Sequence, residues 1–116
     1  MGKSHAGRLR DRLMASTIRI RSQRFEGFIE IKVLISHPME NGRNRDANGQ
    51  LIPAHFIREL IIALNDKALI NANLGGSISK DPFFTFRLKN IASRDRIKVR
   101  WLDNLEFSDT AEHLIE

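Results

Sequence analysis

Alternating apolar and polar side chains mark the first structured stretch of this chain. From Thr17 to Ser22 apolar residues alternate with charged or polar ones, which is the two-residue period of a half-buried β-strand. After a turn near Arg24 to Gly27, apolar residues return at every second position from Ile29 to Ile35. Because β-branched residues at this spacing fit a pleated surface, the pattern predicts two consecutive strands.

The segment from His55 to Leu64 has a pattern that fits two structures. Its apolar residues recur at helical spacing, so periodicity alone favours a short amphipathic helix; they are Phe56, Ile57, Leu60, Ile61 and Leu64. The alternative is a strand that turns at Asn65-Asp66 into a second strand over Lys67 to Leu74. An Asn-Asp turn between two apolar runs is typical of a hairpin. We predict the strand, although the periodicity alone favours the helix.

The remaining apolar runs again alternate with polar residues. After Gly75-Gly76-Ser77, which we interpret as a turn, strands are predicted over Phe84 to Leu88, Ile97 to Trp101 and, more weakly, Glu106 to Glu112. Seven short strands with turn signals every eight to twelve residues predict an all-β fold, an immunoglobulin-like β-sandwich of antiparallel strands.

One connection is longer than the others. The stretch from Ser36 to Ile57 opens with His37-Pro38 and contains two turn-forming clusters, Glu40-Asn41-Gly42 and Asp46-Ala47-Asn48-Gly49. Such residues supply positive φ angles and side-chain bonds to the backbone. Long connections in compact domains are more often functional than merely linking, so we expect this loop either to contact a partner or to fold back over its own sandwich.

Composition limits the chain to one ordinary domain. The 116 residues are 41% apolar and 28% charged, with a formal charge of +5. That excess positive charge lies within the first 21 residues, and the rest of the chain is neutral, so we predict no nucleic-acid binding. We predict a disordered basic extension over residues 1–14 and a single domain over residues 15–116. No window is long enough to span a membrane and no secretory signal is recognisable. There is no cysteine, which excludes disulfides and thiolate chemistry on this chain.

Candidate chemistry is sparse. His37, Glu40 and His55 offer metal-ligand atoms, but without a tight ligand spacing we predict no metal and no other cofactor. Asp81 and Asp103 are interpreted as capping residues of turns and strand ends. Met39, Ile52 and Phe56 are interpreted either as a partner-facing surface or as residues that pack onto the sandwich.

Three motifs resemble those of a known family. The first motif lies in the long loop and combines His37 to Glu40 with Leu51 to Ile57. The second is Ser79 to Phe86, which contains Lys-Asp-Pro-Phe-Phe, and the third is Val99 to Asn104, which contains Trp-Leu-Asp-Asn. Together they resemble the Z subunits of the sulfur-oxidation (Sox) carrier complex of thiosulfate-oxidising bacteria, over roughly Ala15 to Thr110. The resemblance implies a β-sandwich and therefore a strand over His55 to Leu64.

The resemblance also implies a function. A Z subunit is a scaffold rather than an enzyme, and it pairs with a SoxY-type carrier subunit whose cysteine arm carries the sulfur intermediate to the other Sox enzymes. Such a heterodimer works in the periplasm, exported on the signal of the Y subunit. Without its partner, an unpaired edge of the sandwich can instead pair with a second copy of the chain, which would give a homodimer. Partner-binding or loop-shaping roles are then expected for His37, Pro38, Met39, Glu40, Pro53, Ala54, His55 and Phe56. A stand-alone immunoglobulin-like binding or adhesion module is the alternative.

Overall fold

The computed structural model describes residues 16–116, which fold into seven β-strands. The predicted basic extension over residues 1–14 lies outside the described residues. The strands are β1 (Ile18–Phe25), β2 (Phe28–Ile35), β3 (Ile57–Leu64), β4 (Lys67–Asn73), β5 (Phe83–Leu88), β6 (Arg96–Asp103) and β7 (Ser108–Leu114). The all-β prediction is confirmed, and no helix able to cross a membrane occurs within residues 16–116.

The strands form two antiparallel sheets in an immunoglobulin-like arrangement. One sheet has the order β1-β2-β5 and the other the order β4-β3-β6-β7. In a constant-type immunoglobulin domain the fourth strand lies in the sheet of the first, second and fifth strands. Here β4 pairs with β3 instead, so the four-stranded sheet contains the last two strands and the central hairpin.

The core lies between the central strands of the two sheets. Ile29, Ile31, Val33 and Ile35 of β2 are at most 2% exposed, and Ile97, Val99 and Trp101 of β6 are at most 5% exposed. These are the alternating positions that the sequence predicted for one face. Burial of apolar side chains on both inner faces is the main force that holds the two sheets together.

Strand β3 explains the conflict between helical and strand periodicity. Its pairing with β6 shifts register between Ile57 and Glu59, and its pairing with β4 shifts between Ile62 and Ala63. In the first shift the extra residue is Arg58 of β3, so the residues on either side of it change face. In the second shift the extra residue is Leu69 of β4, and β3 keeps its alternation there. The bulge at Arg58 places Ile57 and Leu60, three residues apart, in the core together with Ile62. The strand prediction is confirmed, and the spacing of three residues at its start results from this bulge.

Several strand ends lie up to three residues from their predicted positions, for example in β1 and β7. β1 continues to Phe25, beyond the predicted Ser22, and pairs along its whole length with β2. β7 begins at Ser108 rather than Glu106, because Glu106 has a left-handed φ of +72° and belongs to the turn after β6. Alternation is weak in both stretches, since their side chains are mostly exposed.

The two sides of the sandwich differ. On one side β1 contacts β7, where Ser22 Oγ lies 2.8 Å from His113 Nε2. On the other side β4 and β5 are the outermost strands of their sheets within the part of the chain that the structure describes. There Phe84, Phe86 and Leu88 of β5 are only half-buried although they pack against the core. Free strand edges of this kind can pair with another chain.

Candidate functional site

The long loop between β2 and β3 is ordered by hydrogen bonds within the loop itself. At its base Glu40 and His55 exchange two backbone hydrogen bonds of 2.7 and 2.9 Å. Nearer the tip, Ile52 N–H donates to the carbonyl of Asn44 at 2.8 Å. The two strands of the loop are therefore tied together at the base and again towards the tip.

The predicted turn clusters have the predicted conformation. Gly42 has φ +86° and Gly49 has φ +80°, in the left-handed region that glycine tolerates best. At the tip the Asp46 carboxylate accepts backbone hydrogen bonds from Asn48 and Gln50, at 2.8 and 3.0 Å. These bonds hold the tip although its residues are exposed.

Two histidines from opposite ends of this loop meet at one carboxylate. His37 Nε2 lies 3.0 Å and His55 Nε2 2.7 Å from Asp103 Oδ2, at the end of β6. The two imidazole rings pack edge to face with centroids 4.7 Å apart. Trp101 packs on the other side of His37, with ring centroids 5.0 Å apart. This His37–Asp103–His55 cluster joins the loop to the four-stranded sheet.

Asp103 is fully buried and its carboxylate is fully hydrogen-bonded. Its Oδ1 accepts backbone hydrogen bonds from Leu105 and Phe107, both at 2.9 Å, while Oδ2 accepts from the two histidines. Burial alone would raise the pKa of Asp103, but the hydrogen bonds from His37, Phe107, His55 and Leu105 together lower it below the usual value. Asp103 is therefore ionised at neutral pH and acts only as an acceptor.

Because Asp103 only accepts, the protons on the histidines can be assigned. His37 Nε2 carries a proton, and its Nδ1 accepts a 3.1 Å hydrogen bond from the backbone N–H of Met39. His37 is thus a neutral imidazole with both nitrogens in use. Its burial lowers its pKa, and the nearby His55 lowers it further, against the opposing effect of Asp103.

The donor set of this cluster does not suit a metal ion. His37, His55 and Asp103 bring three ligand atoms within 4.8 Å of one another. A histidine that binds a metal through Nε2 normally donates its other N–H to a carbonyl or carboxylate. In His37 that other nitrogen is instead an acceptor for Met39, so Nε2 cannot lose its proton to a metal without forming an imidazolate. The geometry indicates a proton-bearing hydrogen-bond cluster.

Glu40, the third member of the metal group considered from the sequence, lies outside this cluster. Its Oε1 accepts a 3.0 Å hydrogen bond from Asn44 Nδ2 within the loop. The capping interpretation of Asp103 and Asp81 is confirmed, because Asp103 bonds the turn after β6 and Asp81 accepts the backbone N–H of His37 at 2.9 Å.

The candidate site residues divide by burial. His37 and Met39 are buried, whereas Pro38 and Pro53 are exposed. Met39 has φ +49° and its sulfur accepts a 3.3 Å hydrogen bond from the backbone of Ile57. Met39 therefore packs onto its own sandwich, which is one of the two interpretations considered from the sequence.

The last part of the loop, which includes Ala54, His55 and Phe56, is half-buried and fixed by a neighbouring turn. The Asn104 side chain accepts from Phe56 N–H at 2.8 Å and donates to the carbonyl of Ala54 at 3.0 Å. These bonds fix the backbone at Ala54 and Phe56 against the turn after β6. Partner contact stays a prediction for the exposed members of the set.

Sequence reasoning missed that Asp103 and Asn104 organise the loop. Both lie in the Trp-Leu-Asp-Asn motif, but they were interpreted only as the end of a strand. A signal was present, since Asp103 follows Ile97, Val99 and Trp101 at the same two-residue spacing and therefore falls on the buried face. A charged residue at a core position needs partners, and histidines are suitable ones.

Comparison with known proteins gives one family. A family model described as "Sulphur oxidation protein SoxZ" matches residues 18–113, which is most of the chain and includes the loop, Asp103 and all seven strands apart from the last residue of β7. Among curated proteins, none matches the sequence.

Proposed function

The chain belongs to the SoxZ family of sulfur-oxidation proteins, and from this premise we propose that it is the non-catalytic scaffold subunit of a heterodimeric sulfur-compound carrier. The partner is a SoxY-type subunit whose C-terminal cysteine arm holds the sulfur intermediate covalently and presents it to the other Sox enzymes. The family match over residues 18–113 is the observation that carries the proposal.

The chemistry of the chain supports this role. A covalent sulfur carrier needs a thiol, and this sequence contains no cysteine, so the thiol belongs to another subunit. Thiols exchange with one another through mixed disulfides, and a cysteine-free companion cannot divert the bound intermediate in this way.

The fold offers surfaces for such a partner. The outermost strands β4 and β5 have free edges on the same side of the sandwich. The tip of the long loop is exposed, and hydrogen bonds to Asp46 hold its backbone. We expect the Y subunit to cover part of these surfaces, and we expect isolated Z chains to form homodimers through them instead.

The proposed location is the periplasm. A subunit that recognises its partner in the folded state can leave the cytoplasm with it, on a twin-arginine signal that the Y subunit carries. Fractionation of the host, with detection of both subunits, tests this part separately.

The central test is intact-mass analysis of proteins that co-purify with this chain from its host grown on thiosulfate. We expect a stoichiometric companion with a cysteine near its C-terminus and with sulfur or sulfonate adducts that a reductant removes. If the chain is recovered alone, the carrier assignment fails and a stand-alone immunoglobulin-like binding module replaces it.

Proximity of the loop to the arm has its own test. An exposed Ala47→Cys at the loop tip is expected to form a disulfide with the arm cysteine under mild oxidation. Ser93→Cys, exposed in the turn before β6 at the opposite end of that strand from Asp103, is the matched control and is expected to form much less of it. Equal trapping at both positions would show that the loop is not the arm's neighbour.

A further inference from the structure

His55 is the one member of the His37–Asp103–His55 cluster that reaches the surface. Its side chain is 27% exposed, whereas those of His37 and Asp103 are 2% and 0% exposed. Its Nε2 donates to the ionised Asp103, so in the neutral ring Nδ1 carries the lone pair. Within residues 16–116, Nδ1 has no hydrogen-bond partner, and no buried side-chain nitrogen or oxygen is left unpaired. Nδ1 therefore faces solvent.

This arrangement is that of an oriented base. A buried carboxylate on one ring nitrogen fixes the tautomer and stabilises the imidazolium that forms when the other nitrogen takes a proton. The titratable groups in contact with the ring are Asp103 and His37, and His37 is held neutral by its burial and by the hydrogen bond that its Nδ1 accepts from Met39. Protonation of His55 thus places one positive charge beside one buried negative charge.

The surface beside His55 is apolar. The ring of Phe107, 57% exposed, lies with its centroid 5.9 Å from that of His55, and Leu105 in the same turn is 48% exposed. The exposed Phe107 ring thus offers an apolar contact directly beside the one exposed polar group of the cluster.

We propose that His55 is a proton acceptor for the thiol of a partner chain, with Asp103 as its positioning residue and Phe107 as the adjoining contact surface. In this step the S–H bond breaks and the proton forms a bond with His55 Nδ1, leaving a thiolate beside an imidazolium. No electron is transferred, and the Nε2–H of His55 stays with Asp103. The proposal rests on the proposed carrier function, which supplies the thiol.

Typical side-chain pKa values indicate that a thiol, rather than a hydroxyl, is the group that can donate its proton to His55. A cysteine thiol titrates near about 8.5 and an imidazolium near about 6.5, so between isolated groups the equilibrium opposes proton transfer by about a hundredfold. In contact, the attraction between thiolate and imidazolium offsets this difference, as it does in cysteine–histidine pairs with a strongly lowered thiol pKa. Serine and threonine hydroxyls are far weaker acids and keep their protons. A thiolate is the nucleophilic form of cysteine, so the same contact would activate the carrier group.

The first experiment uses the purified heterodimer and follows the arm thiol by its thiolate absorbance as a function of pH. His55→Gln is the test variant, because its amide nitrogen can still donate to Asp103 while its oxygen is not a base. We expect about tenfold less thiolate at pH 7 in His55→Gln than in the wild-type complex, equivalent to a one-unit rise in the pKa of the thiol. Glu106→Gln, exposed in the neighbouring turn, is the control and is expected to behave as wild type.

The outcomes separate the two proposals. If the partner co-purifies and its thiol titrates identically with His55 and with Gln, the inference is wrong while the scaffold role stands. If no cysteine-bearing partner exists, the scaffold role fails and the inference falls with it.

A second experiment needs only this chain, which lacks any other thiol. Phe107→Cys places a thiol beside His55, and Phe83→Cys, which is 58% exposed at the start of β5 opposite the apolar Leu34, is its matched control. We expect a lowered thiol pKa at position 107 relative to position 83, and loss of the difference when His55→Gln is added. Equal titration at both positions would overturn the base role of His55.

Discussion

The hydroxyl of Thr17 donates a 2.6 Å hydrogen bond to the carboxylate of Asp109, which joins the start of β1 in one sheet to β7 in the other. The backbone N–H of Thr17 donates to the same oxygen at 2.9 Å. Thr17 also accepts a 3.0 Å hydrogen bond from the indole nitrogen of Trp101, whose ring packs against His37. A polar link at the sandwich edge therefore continues to the His37–Asp103–His55 cluster.

Removal of the Asp109 carboxylate should destabilise the fold. We expect Asp109→Ala to lower the free energy of unfolding by about 1–3 kcal/mol, because partly buried donors on Thr17 lose their acceptor. Urea denaturation measures the change. Glu112→Ala, in the same strand with only exposed ion pairs, is the control and should cost no more than about 0.5 kcal/mol. Equal losses would show that the Thr17–Asp109 link contributes nothing specific.

His37 should make stability depend on pH. Burial lowers its pKa in the folded protein, so between that value and about 6.5 the unfolded chain binds more protons than the folded one. Stability must then rise with pH through this window, by at most about 1.4 kcal/mol per pH unit, and fall as the solution is acidified below about pH 6.5.

Comparison of wild type with His37→Gln isolates this effect, because His55 and His113 are present in both proteins. Urea denaturation at pH 7 and pH 5 should show a smaller loss on acidification in His37→Gln than in wild type. An equal loss in both would assign the pH dependence to the other histidines.

Asp103 should be the most sensitive position of the cluster. Asp103→Asn keeps the size of the side chain but removes the charge and one acceptor, so four buried or partly buried donors compete for a weaker group. We expect a loss of about 3 kcal/mol in urea denaturation, at the upper end for an unpaired buried polar group. The exposed Asp66→Asn should change stability by less than about 1 kcal/mol.

Zinc should not stabilise this protein. His37 Nε2 holds the proton that a metal would have to displace, because Met39 occupies Nδ1. We expect equimolar Zn²⁺ to leave the thermal midpoint of unfolding unchanged. A rise in the midpoint that disappears in His55→Gln would contradict the proton assignment in the cluster.

The local sequence pattern correctly predicted the strands in which apolar and polar residues alternate regularly and one face packs on the core. β2 and β6 follow the two-residue period throughout, so their buried residues were identified correctly from the sequence. β3 did not, because the bulge at Arg58 shifts its buried residues by one position, and a bulge depends on pairing with neighbouring strands. The Asn65-Asp66 turn supported a strand there, and the family resemblance decided between strand and helix.

Only part of the His37–Asp103–His55 cluster could be predicted from the sequence. Burial of His37 and Asp103 follows from alternation, since His37 continues the series that ends at Ile35 and Asp103 the series that ends at Trp101. Their contact joins positions 66 residues apart in different sheets and depends on how the sheets pack, which no local pattern contains.

The turn after β4 should be sensitive to a single methyl group. A Cβ on Gly76 would lie 3.1 Å from both Cα and Cβ of Asn41 in the long loop, whereas a Cβ on Gly75 meets nothing within 4 Å. Neither glycine has a left-handed φ, so the two substitutions differ mainly in this contact. We expect Gly76→Ala to cost about 1–3 kcal/mol in urea denaturation, because the loop backbone must move. Gly75→Ala should be neutral or stabilising by up to about 1 kcal/mol, through the lower entropy of the unfolded chain. If Gly76→Ala is instead as stable as Gly75→Ala, the loop yields to the methyl group without cost and is not packed firmly against the turn.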